Sequence, residues 1–181
     1  MVKNIQPLTI AKDRIIYQFN RDLIFEAGNE YRRIEFLSNK YNGMGVQRIQ
    51  FHRPYYHIDI YQDRVRSDKP YLYDQDQNGQ YVIRSSQVED PDTEADYYIV
   101  HFSLASKPIV NGNIHISGNL FNNVLNENSR MEYNEDARQY EKSVLLKQGT
   151  YNYQYLFVPD GQPKGETAPV EGNFSQTSNE Y

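Results

Sequence analysis

The sequence predicts an all-β protein made of two antiparallel β-sandwich domains. Three observations predict it. Short runs of alternating apolar and polar residues recur along the chain, as strands with one buried face require. Clusters of Gly, Asn and Pro break those runs at short intervals. No stretch keeps helical periodicity over several turns, so the pattern lacks the helical crossovers of an α/β fold.

Composition supports this class. The chain has 181 residues, enough for a real core, yet its apolar content is only 38% and it has no Trp. Its 17 Tyr residues make up the difference. Tyr buries a large ring, keeps its hydroxyl bonded or wet, and favours strands.

The best-patterned stretch is Val144 to Gly161, read as a hairpin of two strands meeting in a turn at Gly149. In the second, Tyr151, Tyr153, Tyr155 and Phe157 face one way, and Asn152 and Gln154 face the other. Taken in order, earlier strands are expected at Arg14–Phe19, Leu23–Glu26, Glu30–Ser38, Val46–Phe51 and Tyr55–Tyr61, the last two separated by His52-Arg53-Pro54. Tyr71-Leu72-Tyr73 and Tyr81-Val82-Ile83 read as a hairpin turned by Asn78-Gly79, because both positions of such a turn need positive φ. Ser85–Ala95 is an acidic loop, and Asp96–Ala105 is a strong strand with Tyr98, Val100, Phe102 and Leu104 inward. Lys107-Pro108 divides the chain into domains 1–106 and 107–181. In the second domain, Asn113–Ser117, Met131–Tyr133 and Tyr140–Lys147 precede the Tyr-rich stretch, and a final strand is expected near Asn179.

Charge and motifs bound the function. With 19 basic residues scattered among 24 acidic ones, no stripe supplies the phosphate-neutralising charge of a nucleic-acid binder. No apolar run is long enough for a membrane helix. The absence of Cys removes disulfides, thiolate metal sites and a Cys nucleophile. Met1-Val2-Lys3 opens no signal peptide, so the expectation is either a cytosolic protein or a portion of a longer one.

No residue is singled out as catalytic, metal-binding or cofactor-binding. Asp74-Gln75-Asp76-Gln77-Asn78-Gly79 imitates the start of a calcium loop, but its twelfth position is Ser85 where a bidentate Glu belongs. A hairpin turn is the plainer reading, and calcium at Asp74, Asp76 and Asn78 stays open. His52 and His57 differ by five, so they would face opposite sides of any strand running through both. With His101 and His115 they read as ordinary, partly buried histidines. Glu89, Asp90, Asp92, Glu94 and Asp96 read as a solvated acidic segment. Phosphate-cradling, nucleophile-elbow and zinc-protease motifs are absent, which disfavours an enzyme. Only outward-facing rings such as Tyr55, Tyr61 and Tyr97 are candidates to stack on a sugar or a partner protein.

Two resemblances follow. Ile116-Ser117-Gly118-Asn119-Leu120-Phe121, Met131-Glu132-Tyr133, Tyr140-Glu141 and Gly149-x-Tyr151-x-Tyr153-x-Tyr155 resemble the immunoglobulin-like early-set domain found as glycogen- or starch-binding modules. That resemblance implies an immunoglobulin-like second domain lacking its last strand. Its sugar-binding members carry exposed Trp, absent here, so the fold carries over better than the ligand. A broader resemblance covers nearly the whole chain. It rests on Gly28-Asn29-Glu30-Tyr31-Arg32-Arg33, Tyr73-Asp74-Gln75-Asp76-Gln77-Asn78-Gly79, Glu94-Ala95-Asp96-Tyr97, His101-Phe102-Ser103-Leu104, Leu146-Lys147-Gln148-Gly149-x-Tyr151 and Glu171-Gly172-Asn173. These motifs are similar to a Bacteroidetes envelope family once listed as a domain of unknown function and now described as the plug protein of the type IX secretion system. The resemblance implies a non-enzymatic periplasmic protein, associated with the outer membrane, that closes the periplasmic side of the translocon barrel by protein contact. Its partner would be that barrel protein, with no nucleic acid, no cofactor and no membrane insertion. It also implies further sequence upstream and a closing strand downstream. A carbohydrate-binding module and a structural envelope domain without a ligand are the alternative functions.

Overall fold

A computed structural model describes residues 7–16, 28–71 and 73–172. The protein is an all-β sandwich, 44% strand and 7% helix. The strands are β1 (Thr9–Ile10), β2 (Ile15–Ile16), β3 (Arg32–Phe36), β4 (Val46–His52), β5 (Tyr55–Ile60), β6 (Asp63–Arg64), β7 (Tyr81–Ile83), β8 (Tyr97–Ala105), β9 (Gly112–Ser117), β10 (Glu132–Asn134), β11 (Gln139–Lys147) and β12 (Gly149–Pro159). Two single-turn helices, α1 (Pro91–Glu94) and α2 (Ala168–Glu171), and a 3-10 turn at Asn119–Phe121 complete the described elements. The strands expected at Arg14–Phe19, Leu23–Glu26 and near Asn179 lie wholly or partly outside the described residues.

One six-stranded sheet runs β10-β11-β8-β5-β4, with β6 also on β8, and a four-stranded sheet places β3, β7 and β9 on β12. β1 and β2 form a small ladder of their own. Most pairs are antiparallel, but β5 and β6 run parallel to β8. Chain order explains this: after β6 the backbone leaves for β7 in the other sheet before returning as β8, the kind of crossover that parallel neighbours need.

The inner faces carry the expected alternation. Ile58, Ile60, Tyr98, Val100, Phe102 and Leu104 of one sheet face Ile34, Phe36, Ile114, Ile116, Tyr151, Tyr153 and Tyr155 of the other, all buried in one cluster. Phe36 meets Tyr98 at 5.7 Å between ring centres, and Phe102 meets Tyr153 edge-on at 5.0 Å. The division expected at 106/107 falls between strands that these sheets join. β11 pairs β8 along its whole length, β12 pairs β3, and both halves share one core.

Two local expectations are corrected. Val144–Gly161 is not a hairpin, because β11 belongs to the six-stranded sheet and β12 to the four-stranded one. Gln148 is the corner between them. Fully buried, it exchanges backbone bonds with Asp96 and Arg84 and gives its amide to the Tyr98 hydroxyl at 3.1 Å. Gly149 follows because a Cβ there would sit 2.4 Å from the Val82 carbonyl oxygen. Likewise Tyr81–Ile83 pairs with Gly149–Tyr151, not with Tyr71–Tyr73. The Asn78-Gly79 turn does form, with φ of 51° and 76° and a Gln80 N–H bond to the Gln77 carbonyl.

A charged network closes one end of the core. The Glu171 carboxylate, 1% exposed, takes one guanidinium edge of Arg32, its Nε–H and Nη2–H, at 3.0 Å each, the Arg66 Nε–H at 2.7 Å and the Tyr155 backbone N–H at 2.8 Å. Arg32 also reaches Asp63 at 2.8 Å. Asp63 in turn accepts the hydroxyls of Tyr153 and Tyr155 at 2.8 and 2.7 Å. Burial alone would lower the pKa of Arg32, but Glu171 and Asp63 more than reverse this and keep it a cation. Burial, then Asp63, pushes both tyrosines well above the ordinary phenol range, so they stay protonated donors. Breaking such a network leaves uncompensated buried charge. Glu171→Gln is expected to cost about 3 kcal/mol in urea unfolding, whereas a loss under about 0.5 kcal/mol would mean that the carboxylate does not anchor α2.

Candidate interaction face

Inward residues of the six-stranded sheet fill the core, so the alternate positions form its outer face. From β4 these are Arg48, Gln50 and His52, and from β5 Tyr55, His57 and Asp59. β8 supplies Tyr97, Ile99, His101 and Ser103, and β11 supplies Glu141, Ser143, Leu145 and Lys147. Tyr55, Tyr61 and Tyr97, the rings that the alternation placed outward, are 39%, 61% and 51% exposed. Tyr55 and Tyr97 directly precede the register pair Tyr56–Tyr98, so they are neighbours on adjacent strands. Leu145 is also exposed, and Lys147 places its ammonium over the Tyr97 ring at 5.6 Å. This is a flat surface with apolar and aromatic centres and a charged rim. Arg48 and Asp59 form one ion pair of that rim.

Histidines gather here against expectation. His52 and His57 share the face because the break at Arg53-Pro54 is a hairpin turn, pairing Tyr55 with His52 and His57 with Gln50. Spacing along the chain therefore no longer sets which side each occupies. The rings of His52 and His57 meet edge-on at 5.1 Å. His57 Nδ1 lies 2.8 Å from His101 Nε2, and His101 Nδ1 lies 2.8 Å from Ser143 Oγ. Burial lowers the His101 pKa; Asp59 and Glu141 oppose this, and His57 and His52 add to it. Parallel pairing of β5 with β8 creates the contact, a register that single-strand reading does not reveal. Among the described residues, no group of three or more His, Asp or Glu side chains is placed to hold a metal ion.

Elsewhere, candidate residues serve local structure. Both Asp76 oxygens are committed, one to the Tyr31 N–H and the other to the Asn78 N–H at 2.7 Å. The Gln77 N–H is bound by Asn152 Oδ1, so the loop covers Asn152 and buries a residue expected on the wet side of β12. Asp90 and Glu94 bond within the α1 turn. Ser86, Gln87, Val88, Glu89 and Glu94 line a shallow, open polar recess. His115 is buried on β9 with its Nδ1 3.0 Å from Ser129 Oγ, and burial followed by Arg130 lowers its pKa.

No protein-family model and no curated protein matches the chain. A crystal structure of a hypothetical protein from Parabacteroides merdae is similar, with a TM-score of 0.86 and 59% identity. The match covers 97% of this chain and 44% of that one, so this chain spans less than half of its neighbour's length. The similarity is to a Bacteroidetes protein.

Two outcomes follow from this geometry. Because the Asp76 oxygens already hold backbone donors, neither calcium nor a chelator should shift the thermal midpoint, while Asp76→Ala should cost about 1–2 kcal/mol. A calcium-dependent rise in midpoint would show that the loop binds the ion. Separately, His101 and His115 have folded pKa values below their ordinary value of about 6.5, so the unfolded chain binds protons first as pH falls. Their contribution to stability is complete above about pH 6.5 and is lost as pH drops through the folded values. The urea midpoint should therefore fall between pH 7.5 and 5, and His115→Gln should flatten that slope; an unchanged slope would remove His115 as a cause.

Proposed function

We propose that this chain acts without catalysis, by protein–protein contact, as part of a plug closing the periplasmic side of a type IX secretion translocon. The observation that carries the proposal is the exposed outer face of the six-stranded sheet. Tyr55, Tyr97, Ile99 and Leu145 supply contact area there, and Arg48, Asp59, Glu141 and Lys147 surround them. Aromatic centres with polar rims are how protein interfaces concentrate affinity while remaining separable. A plug must fill an opening without deforming and leave it without unfolding. A sandwich whose layers are bonded through Asp63 and Glu171 suits that demand. The motif resemblance to the plug family, which implies a periplasmic, outer-membrane-associated location, and the similarity to a Bacteroidetes protein support the same reading.

Exposure of Tyr55 and Tyr97 side by side also favours a second reading, a carbohydrate-binding face, because sugar rings stack on such platforms. One comparison separates the two. The full-length protein from its source cell should co-purify with a translocon barrel, and Tyr55→Ser with Tyr97→Ser should weaken that binding at least tenfold, about 1.4 kcal/mol. Deletion should make the outer membrane leaky. Unchanged leakiness and secretion after deletion would sink the plug reading, and ring-dependent retention on a glycan array would replace it with the carbohydrate one.

A further inference from the structure

The His57–His101 contact has a property that neither histidine would have alone. At 2.8 Å between Nδ1 and Nε2, one nitrogen must carry the hydrogen and the other must accept it. With ring centres 5.1 Å apart and planes 18° from parallel, the two nitrogens meet edge to edge and leave no room for two hydrogens between them. We propose that this pair is a two-proton switch in the outer face of the sheet, closed with none or one added proton and opened by the second.

Proton bookkeeping gives the two steps. In the neutral pair each imidazole holds one N–H, and one of these bridges the rings. Ser143 donates to or accepts from the other His101 nitrogen according to the tautomer. The first added proton binds a nitrogen outside the bridge, leaving an imidazolium that donates to a neutral imidazole. That contact is charge-assisted and stronger than before. The second proton must occupy the bridging acceptor. Two N–H groups then point at each other and two cations adjoin, so the rings part.

Every element around the pair presents charged or titratable groups. β4 brings Arg48 and His52, β5 brings Asp59 and Tyr55, β8 brings Tyr97, and β11 brings Glu141 and Lys147. Arg48 is neutralised by Asp59, while Glu141 is bound by the amides of Asn134 and Gln139. The His52 ring lies edge-on to His57 at 5.1 Å. Acidification therefore converts a nearly neutral face into a cationic one in two steps. This property belongs to the chain itself and stands whether or not the face docks on a translocon.

The test is nitrogen NMR of ¹⁵N-histidine-labelled protein between about pH 4.5 and 8. A ¹⁵N–¹⁵N coupling across the hydrogen bond should join His57 Nδ1 and His101 Nε2 at neutral pH, survive the first titration step and vanish with the second. The steps should lie more than about one pH unit apart. In His101→Gln, the coupling should be absent and the two separated steps should collapse into one. Absence of the coupling at every pH, or independent titration of the two rings in the unmodified protein, would overturn the proposal. The unmodified protein decides the matter even if the variant fails to fold.

Discussion

A single buried carboxylate ties together segments from distant parts of the chain. Glu171 sits at the end of α2, beyond the last strand, yet its oxygens reach Arg32 on β3, Arg66 after β6 and the backbone of Tyr155 on β12. Through Arg32 and Asp63 the same network extends to the six-stranded sheet, where Asp63 pairs beside Leu104. The tyrosines of the facing sheet then donate back to Asp63. Taking such ions out of water is unfavourable unless their hydrogen-bonding capacity is filled. Here it is filled by groups from both layers, so the layers must be in register for the charges to be tolerated. The apolar core would accept several similar packings. The ion network accepts one.

That network explains which strand tyrosines are structural. A Leu-rich core could fill the space between the sheets, but it could not neutralise an end where Arg32, Asp63 and Glu171 meet. Tyr153 and Tyr155 supply core volume along their rings and donors at their tips, and Arg32 lies 5.2 Å over the Tyr155 ring. Low apolar content and abundant Tyr are thus two sides of one solution, a core that is apolar along its length and polar at one end.

Much of this was legible from alternation. The inward set of β8, the inward Tyr series of β12, the positive-φ turn at Asn78-Gly79 and the outward rings of Tyr55, Tyr61 and Tyr97 all follow from local rules. What was not legible depends on pairing partners. A strand pattern specifies a buried face, not the strand that lies alongside. So Tyr81–Ile83 read as half of a hairpin although its partner is β12, and the chain at Gln148 read as a tight turn although it changes sheets. Gln148 did carry a signal. A polar residue between Leu146 and Tyr151 in an otherwise apolar inward series needs buried partners, and the corner provides them: the Gln148 side-chain oxygen accepts the Asp96 N–H, and its amide donates to Gln87 Oε1 and the Tyr98 hydroxyl. Glu171 gave no such sign, because the arginines that neutralise it, Arg32 and Arg66, lie more than a hundred positions away.

The candidate face depends on pairing in the same way. Its rings were visible in the sequence, but its histidines were not, since their meeting needs both the β4–β5 hairpin and the parallel run of β5 along β8. Parallel register is also what makes the contact specific. The slanted bonding of a parallel ladder sets His57 opposite Ile99, so its ring leans along the sheet to reach His101 on the next outward position. The crossover that takes the chain through the second sheet between β6 and β8 therefore does more than complete the fold. It fixes the direction of β5 against β8, and with it the 2.8 Å contact between the His57 and His101 rings.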